Sequence, residues 1–132
     1  VSKYASLEDA IYIMLQNKVG VLPVVDNDQI SGIITDKDVF RAFLEISGYG
    51  QAGIRIGLEV PDTPRVLEKI ANLIASENLN IERTIVAPKN DTVLRVELQV
   101  EGEVGIEQLK EVFVEAGFTV TEIAKTEAKE LD

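Results

Sequence analysis

The chain has no cysteine, no histidine and no tryptophan, and it contains a single methionine among its 132 residues. Without cysteine no disulfide can form, and without cysteine or histidine the usual zinc sites cannot be built. Histidine is also the commonest general acid or base in enzymes and the usual partner of a nucleophilic serine or cysteine. Because no other nucleophile, base or metal-ligand set stands out by spacing, we expect a protein that is not an enzyme and requires no cofactor.

Basic residues are also scarce, since 13 Lys and Arg stand against 23 Asp and Glu and give a formal net charge of −10. Neither part of the chain is basic by itself. Residues 1–52 carry four basic and seven acidic residues, and residues 53–132 carry nine basic and sixteen acidic residues. Such a surface repels the phosphate backbone, so we expect no nucleic-acid partner. No run approaches the ~20 apolar residues of a membrane helix, and no signal-peptide pattern opens the chain. We therefore expect a cytoplasmic protein without membrane contact.

The clearest boundary signal in the sequence is the run Ser47–Gly53, which has three glycines in seven residues and no charged residue. Such a run marks a break between structured segments. It divides the chain into a domain at residues 1–50, a second domain at residues 53–124 and a charged C-terminal tail at residues 125–132. We interpret the run itself as a flexible joint, with a ligand-binding loop as the alternative.

Residues 1–50 show a helix–strand–strand–helix pattern. Ser6 precedes an amphipathic helical run, and the apolar strands Val21–Asp26 and Ile30–Thr35 flank a polar turn typical of a hairpin. The helix that follows the second strand carries Phe40 and Phe43 on its apolar face, and we expect both rings to lie in the core.

The heptapeptide Gly32–Asp38 joins the second strand to the second helix. At such a corner we expect the backbone N–H groups of Asp36 and Lys37 to be unpaired first-turn donors, which favour an anion. Thr35 can cap the helix or donate its hydroxyl to a phosphate, and the Asp38 carboxylate can accept from ribose hydroxyls. The alternative is an ordinary capping box between Thr35 and Asp38.

Three segments in this order, Ser6–Ala10, Gly20–Asp26 and Gly32–Asp38, resemble the CBS motif, whose members commonly bind adenine nucleotides or other adenosyl compounds. The resemblance implies AMP, ATP or S-adenosylmethionine as regulatory ligands, with Thr35 at the phosphate and Asp38 at the ribose. The residues that it assigns to the nucleotide site are Ser2, Val21, Leu22, Pro23, Ile34, Thr35, Asp36, Lys37 and Asp38.

CBS motifs usually work in pairs, and this chain contains one, with its first short strand barely present before Ser6. The resemblance therefore implies either a partner motif in a missing N-terminal part or two chains that supply one motif each. Both routes predict a homo-oligomer, most simply a dimer.

The pattern of residues 53–124 predicts β-α-β-β-α-β, the ferredoxin-like split arrangement with both helices on one face of an antiparallel sheet. With Glu59–Leu67 at its first corner and Asn80–Glu82 entering its second strand, this segment resembles the ACT domain. Arg65 stands where ACT domains that bind amino acids have glycine, and a residue with a Cβ restricts that loop. The amino-acid-binding residues that the resemblance implies are Asp62, Thr63, Pro64, Arg65, Val66 and Leu67.

The predicted fold class is thus α+β, with a partial CBS unit joined to a ferredoxin-like ACT domain. A CBS motif followed by an ACT domain resembles the regulatory proteins of the acetoin utilization type. This organisation implies a non-enzymatic regulatory protein that senses an adenosyl ligand and an amino acid. The alternative is an assembly module that binds no ligand and holds a larger partner in a fixed oligomeric form. The corner at Asp62–Pro64 can likewise be a simple strand end.

Overall fold

The computed structural model describes residues 1–130, which form four helices and two antiparallel sheets. The mixed α and β content predicted from the sequence is confirmed. The chain divides into a first unit, Val1–Ile46, and a second unit that begins at Ser47. Each unit has its own sheet and its own cluster of buried apolar side chains.

The first unit contains two helices and a hairpin. Its elements are α1 (Leu7–Asn17), β1 (Val21–Asp26), β2 (Gln29–Thr35) and α2 (Asp36–Ser47). Ser6 begins α1 with a capping box, because its Oγ accepts from the Asp9 N–H at 3.1 Å while Asp9 Oδ2 accepts from the Ser6 N–H at 3.2 Å. The hairpin turns at Asn27 and Asp28, whose φ angles of 51° and 61° are ones that asparagine and aspartate tolerate.

Four side chains form the buried cluster of the first unit: Ala10, Met14, Leu22 and Val39. They come from α1, β1 and α2, so the two helices and the hairpin meet at this point. Before α1, Ser2 forms an isolated parallel bridge with Val25. A hairpin with one such bridge covers little of the two helices.

The second unit has an antiparallel sheet in the order β4-β5-β3-β6. Its elements are β3 (Gly53–Pro61), α3 (Val66–Ser76), β4 (Asn80–Pro88), β5 (Val93–Glu101), α4 (Ile106–Glu115) and β6 (Thr119–Thr126). Alternate residues of the central strands point into the core, as Ile56 and Leu58 on β3 and Val96 and Val100 on β5 show by being at most 1% exposed. Phe113 of α4, also fully buried, packs within this same cluster.

Two segments differ from their predicted extents. The last strand continues to Thr126, so the first two residues of the predicted tail pair with Gly53 and Ile54 of β3. Of the remaining tail, residues 127–130 lie outside regular secondary structure, and residues 131–132 lie outside the described range. The predicted flexible joint is packed at its start, because Ser47 and Gly48 are both buried.

Candidate functional site

The corner between β2 and α2 is held by two reciprocal hydrogen bonds. The Thr35 N–H donates to Asp38 Oδ2 at 2.8 Å, and the Asp38 N–H donates to Thr35 Oγ1 at 3.2 Å. Thr35 and Asp38 are thus brought together as a capping box, which was the alternative interpretation of the heptapeptide. These are also the two side chains to which the sequence resemblance assigns contacts with the phosphate and the ribose.

The expectation of an unpaired Asp36 N–H is wrong, because that group donates to the carbonyl oxygen of Gly20 at 2.9 Å. The cause is tertiary: β1 starts beside the end of β2, with Val21 opposite Thr35, so the residue before β1 lies against the first turn of α2. A Cβ at Gly20 would lie 3.1 Å from Asp36 Oδ2, so this close approach suits glycine. The corner therefore offers an anion fewer free donors than the sequence predicts.

The Asp38 carboxylate is exposed, and its hydrogen bonds favour its ionised form. The backbone N–H of Thr35, and after it the Thr35 hydroxyl, hold the pKa of Asp38 below its usual value. Desolvation opposes this shift, and Arg41, one turn further along α2, adds a smaller attraction. Asp38 is thus a charged acceptor at neutral pH, with the exposed Lys37 next to it in the chain.

The remaining predicted contacts do not all gather around one cavity. Ser2 and Ile34 line a cavity of about 260 Å³ beside α1, whereas Thr35 and Asp38 are not part of its wall. Leu22 is 6% exposed and belongs to the core, so it is not available to a ligand in this conformation. Its neighbours Val21 and Pro23 alternate with it along β1 and are exposed.

An open, apolar groove of about 670 Å³ lies between α1 and α2. Phe40 and Phe43 line it and are 64% and 56% exposed, so the expectation that both rings are core is wrong. The helical pattern correctly groups them on one face, but a two-stranded hairpin is too narrow to cover that face. The groove is completed by Ile11, Met14, Leu15, Lys18, Val19, Gly20, Asp36, Val39 and Leu44.

In the second unit, the loop between β3 and α3 keeps a glycine-like backbone at Arg65. This residue precedes the first helical residue and has φ 71° and ψ 4°, in the left-handed region. The loop is tied down by the Asp62 N–H, which donates to the Thr92 carbonyl at 2.9 Å, and by the Val66 N–H, which donates to the Thr63 carbonyl at 3.3 Å. Arg65 thus adopts a left-handed backbone conformation that glycine adopts at less cost.

The six predicted amino-acid contacts are spread over different environments. Asp62, Thr63 and Pro64 are exposed, Val66 is buried in the core, and Leu67 is 47% exposed. The Arg65 side chain is 86% exposed and approaches Glu68 at 3.9 Å. It lines an open groove of about 420 Å³ along α3 rather than a closed cavity.

The 130 described residues hold no group of three or more acidic, histidine or cysteine side chains placed to bind a metal ion. No helix among them combines the length and the apolar character that crossing a membrane takes.

Comparison with known proteins gives a family match for the first unit. Residues 1–45 match the CBS domain family. The CBS match spans α1, β1 and β2 and nearly all of α2, including the Thr35–Asp38 corner. Among solved structures, the chain is similar to the crystal structure of protein BT0572 from Bacteroides thetaiotaomicron. The identity is 16% and the TM-score 0.40, over 94% of this chain and 85% of that one.

Proposed function

We propose that this protein is a non-enzymatic regulatory sensor whose first unit binds an adenine nucleotide or a related adenosyl compound. A CBS domain indicates a regulatory, ligand-sensing role in general terms, and the match over residues 1–45 is the observation that carries this proposal. The Thr35–Asp38 corner supplies the chemistry. AMP, ATP and S-adenosylmethionine all carry an adenine ring and two vicinal ribose hydroxyls. The Asp38 carboxylate of the corner would recognise these hydroxyls.

Each polar group at the corner has a distinct task in this proposal. Asp38 is ionised and exposed, and a carboxylate of this kind accepts hydrogen bonds from ribose hydroxyls. The ammonium group of Lys37 lies in the first turn of α2, where it can pair with a phosphate. The Thr35 hydroxyl oxygen accepts from the Asp38 N–H at 3.2 Å, and in this proposal the hydroxyl hydrogen donates to a phosphate.

We propose further that the second unit is an ACT-type domain that binds an amino acid near the loop Asp62–Leu67. Its β-α-β-β-α-β order and its antiparallel sheet support this assignment. The exposed guanidinium of Arg65 has the geometry to hold a carboxylate through two parallel hydrogen bonds. It replaces the backbone N–H groups that a glycine at this position leaves accessible.

An assembly module without ligands is the second candidate, and the exposed apolar surface of the first unit favours it. Phe40, Phe43 and Leu15 line an open groove, and contiguous apolar surface of this kind marks sites of association. In this candidate the Thr35–Asp38 hydrogen bonds serve only to start α2. A dimer is expected under both candidates, so oligomeric state alone does not separate them.

Thermal unfolding of the full chain with AMP, ADP, ATP, S-adenosylmethionine and the common amino acids separates the two candidates. A ligand at about 100 times its dissociation constant stabilises a protein by about 2.7 kcal/mol, which gives a visible shift in Tm. Asp38→Asn should abolish the shift caused by adenosyl compounds. Asp28→Asn, which removes the same charge from the hairpin turn, should preserve it. If no compound shifts the Tm, this chain is either an assembly module or an incomplete sensor that lacks its partner motif.

Thr35 tests the assignment of the phosphate. Thr35→Ala should weaken the binding of AMP much more than the binding of adenosine, because only AMP carries the phosphate to which the hydroxyl donates. Asp38→Asn should lower the affinity for both compounds by the same factor, since both carry the ribose. Titration calorimetry of the two variants with the two ligands gives four losses of affinity. If all four losses are equal, the assignment is contradicted.

A further inference from the structure

The segment that leaves α2 is covered by residues from the far end of the chain. The carbonyl of Gln51 accepts from the Thr126 hydroxyl at 2.8 Å and from Gln99 Nε2 at 3.2 Å. Gln99 Nε2 also donates to Thr126 Oγ1 at 3.0 Å, which closes a ring of three hydrogen bonds. These contacts connect three stretches of sequence that are up to 75 residues apart.

Gln99 shows how tightly this ring is enclosed. It stands on β5 between the core residues Leu98 and Val100 and faces the side of the sheet opposite to the core, yet it is only 2% exposed. A buried amide is tolerated because both of its donor contacts are satisfied. Gly48 adds to the cover, since a Cβ there would lie 2.6 Å from the Arg83 side chain.

Beyond Thr126 the chain continues across the same segment. The Lys129 N–H donates to the Gly50 carbonyl at 2.8 Å, and Lys129 Nζ donates to the Tyr49 hydroxyl at 2.8 Å. The ammonium group also lies 4.6 Å from the centre of the Tyr49 ring. Thr126 and Lys129 together therefore hold three consecutive residues, Tyr49 to Gln51.

We propose that Thr126–Lys129 is a strap that fastens the segment Ser47–Gln51 onto the second sheet, and that release of the strap frees this segment. Ser47 is both the last residue of α2 and the first residue of the second unit. The strap thereby holds the start of the second unit against that unit's own sheet. This inference does not depend on whether either unit binds a ligand.

Hydrogen exchange on the full chain tests the strap through two substitutions. Thr126→Val removes the hydroxyl and keeps the shape of the side chain, and Lys129→Pro removes the backbone donor to Gly50. Each should speed exchange of residues 48–53 by about three- to tenfold, as expected for the loss of one or two hydrogen bonds. Lys110→Ala, an exposed lysine on α4, is the control and should change nothing.

The readout must be local for the proposal to hold. Exchange in Val96–Val100 of β5 should stay within about twofold of the unmodified chain, while cleavage by chymotrypsin after Tyr49 becomes faster. Unchanged exchange of residues 48–53 in both variants would overturn the strap. A rise of equal size in β5 would overturn it as well, because the substitutions would then act on the stability of the whole unit.

Discussion

The two units differ most in how completely they bury their apolar side chains. Over the described residues, the second unit buries fourteen apolar side chains in one cluster, whereas the first unit buries four. Conversely, ten of the fourteen large apolar side chains that are exposed belong to the shorter first unit. The second unit has a closed core of its own. The first unit has apolar surface that its own helices and hairpin leave uncovered.

The exposed faces of the two sheets differ in the same sense. On the second sheet, charged residues pair across strands, with Arg55 Nη2 at 2.7 Å from Glu97 and Lys89 Nζ at 2.8 Å from Glu59. The hairpin of the first unit instead exposes apolar side chains such as Ile30 and Ile33, at 70% and 67%. Charged faces keep sheets apart, and apolar ones favour association. Of the two units, the first is therefore the one whose exposed surface favours association.

Separate production of the two units tests most directly whether they differ in their ability to fold alone. Residues 47–132 should unfold cooperatively in urea, because their core resembles that of an independent small domain. Residues 1–46 should show no cooperative transition as a monomer, since a chain of this length with so small a core rarely folds alone. Circular dichroism at several protein concentrations measures both. Cooperative unfolding of monomeric 1–46 would contradict the interpretation.

Phe113→Ala measures how much the closed core contributes. The ring is fully buried, so its removal should lower the free energy of unfolding of the second unit by about 3–5 kcal/mol. Val114→Ala on the same helix changes a side chain that is 53% exposed and should cost about 0.5 kcal/mol or less. Urea titration of both variants gives the difference, and similar losses in the two would show that the cluster is not the source of stability.

Much of each unit could be predicted from local signals in the sequence. Ser6 caps α1 as predicted, the two strands of the first hairpin lie where the apolar runs are, and Gly117 follows the last turn of α4. These features depend on residues within a few positions of one another. Propensity, capping and turn chemistry are enough to specify them.

The features that could not be predicted depend on contacts between distant residues. Periodicity places Phe40 and Phe43 on one face, but only the width of the hairpin decides whether that face is covered. The Asp36 N–H is taken by Gly20, and the glycine-rich joint is held by Thr126, each through tertiary contacts. At the candidate site, the sequence identifies Thr35 and Asp38 and offers their capping box as one of two interpretations, and the structure shows that the capping box forms.

Thr35→Val tests the local order that the first unit does possess. The substitution removes the hydroxyl that caps Asp38 and should destabilise α2 by about 1 kcal/mol. The folded state lowers the pKa of Asp38 below 3.8, so its stabilising effect is complete above that value and is lost as the pH falls through the folded-state pKa. Carboxyl chemical shifts in NMR should show this pKa rising in the variant. Thr84→Val on β4 is the matched control, and an unchanged Asp38 titration would contradict the capping role.

Arg65→Gly should give the smallest effect, a gain in the closed second unit. At φ 71° a residue with a Cβ raises the free energy of the folded state by about 1–2 kcal/mol. Glycine avoids this strain, but its greater loss of backbone entropy on folding costs about 0.5–1 kcal/mol. The net gain should be about 0.5–1 kcal/mol, because the exposed ion pair with Glu68 at 3.9 Å contributes little. Arg65→Ala separates the two causes: it removes the same charge but keeps the Cβ, so it should give no gain. If urea denaturation finds alanine and glycine equally stable, the left-handed turn at Arg65 carries no strain, and the loop accepts arginine without cost.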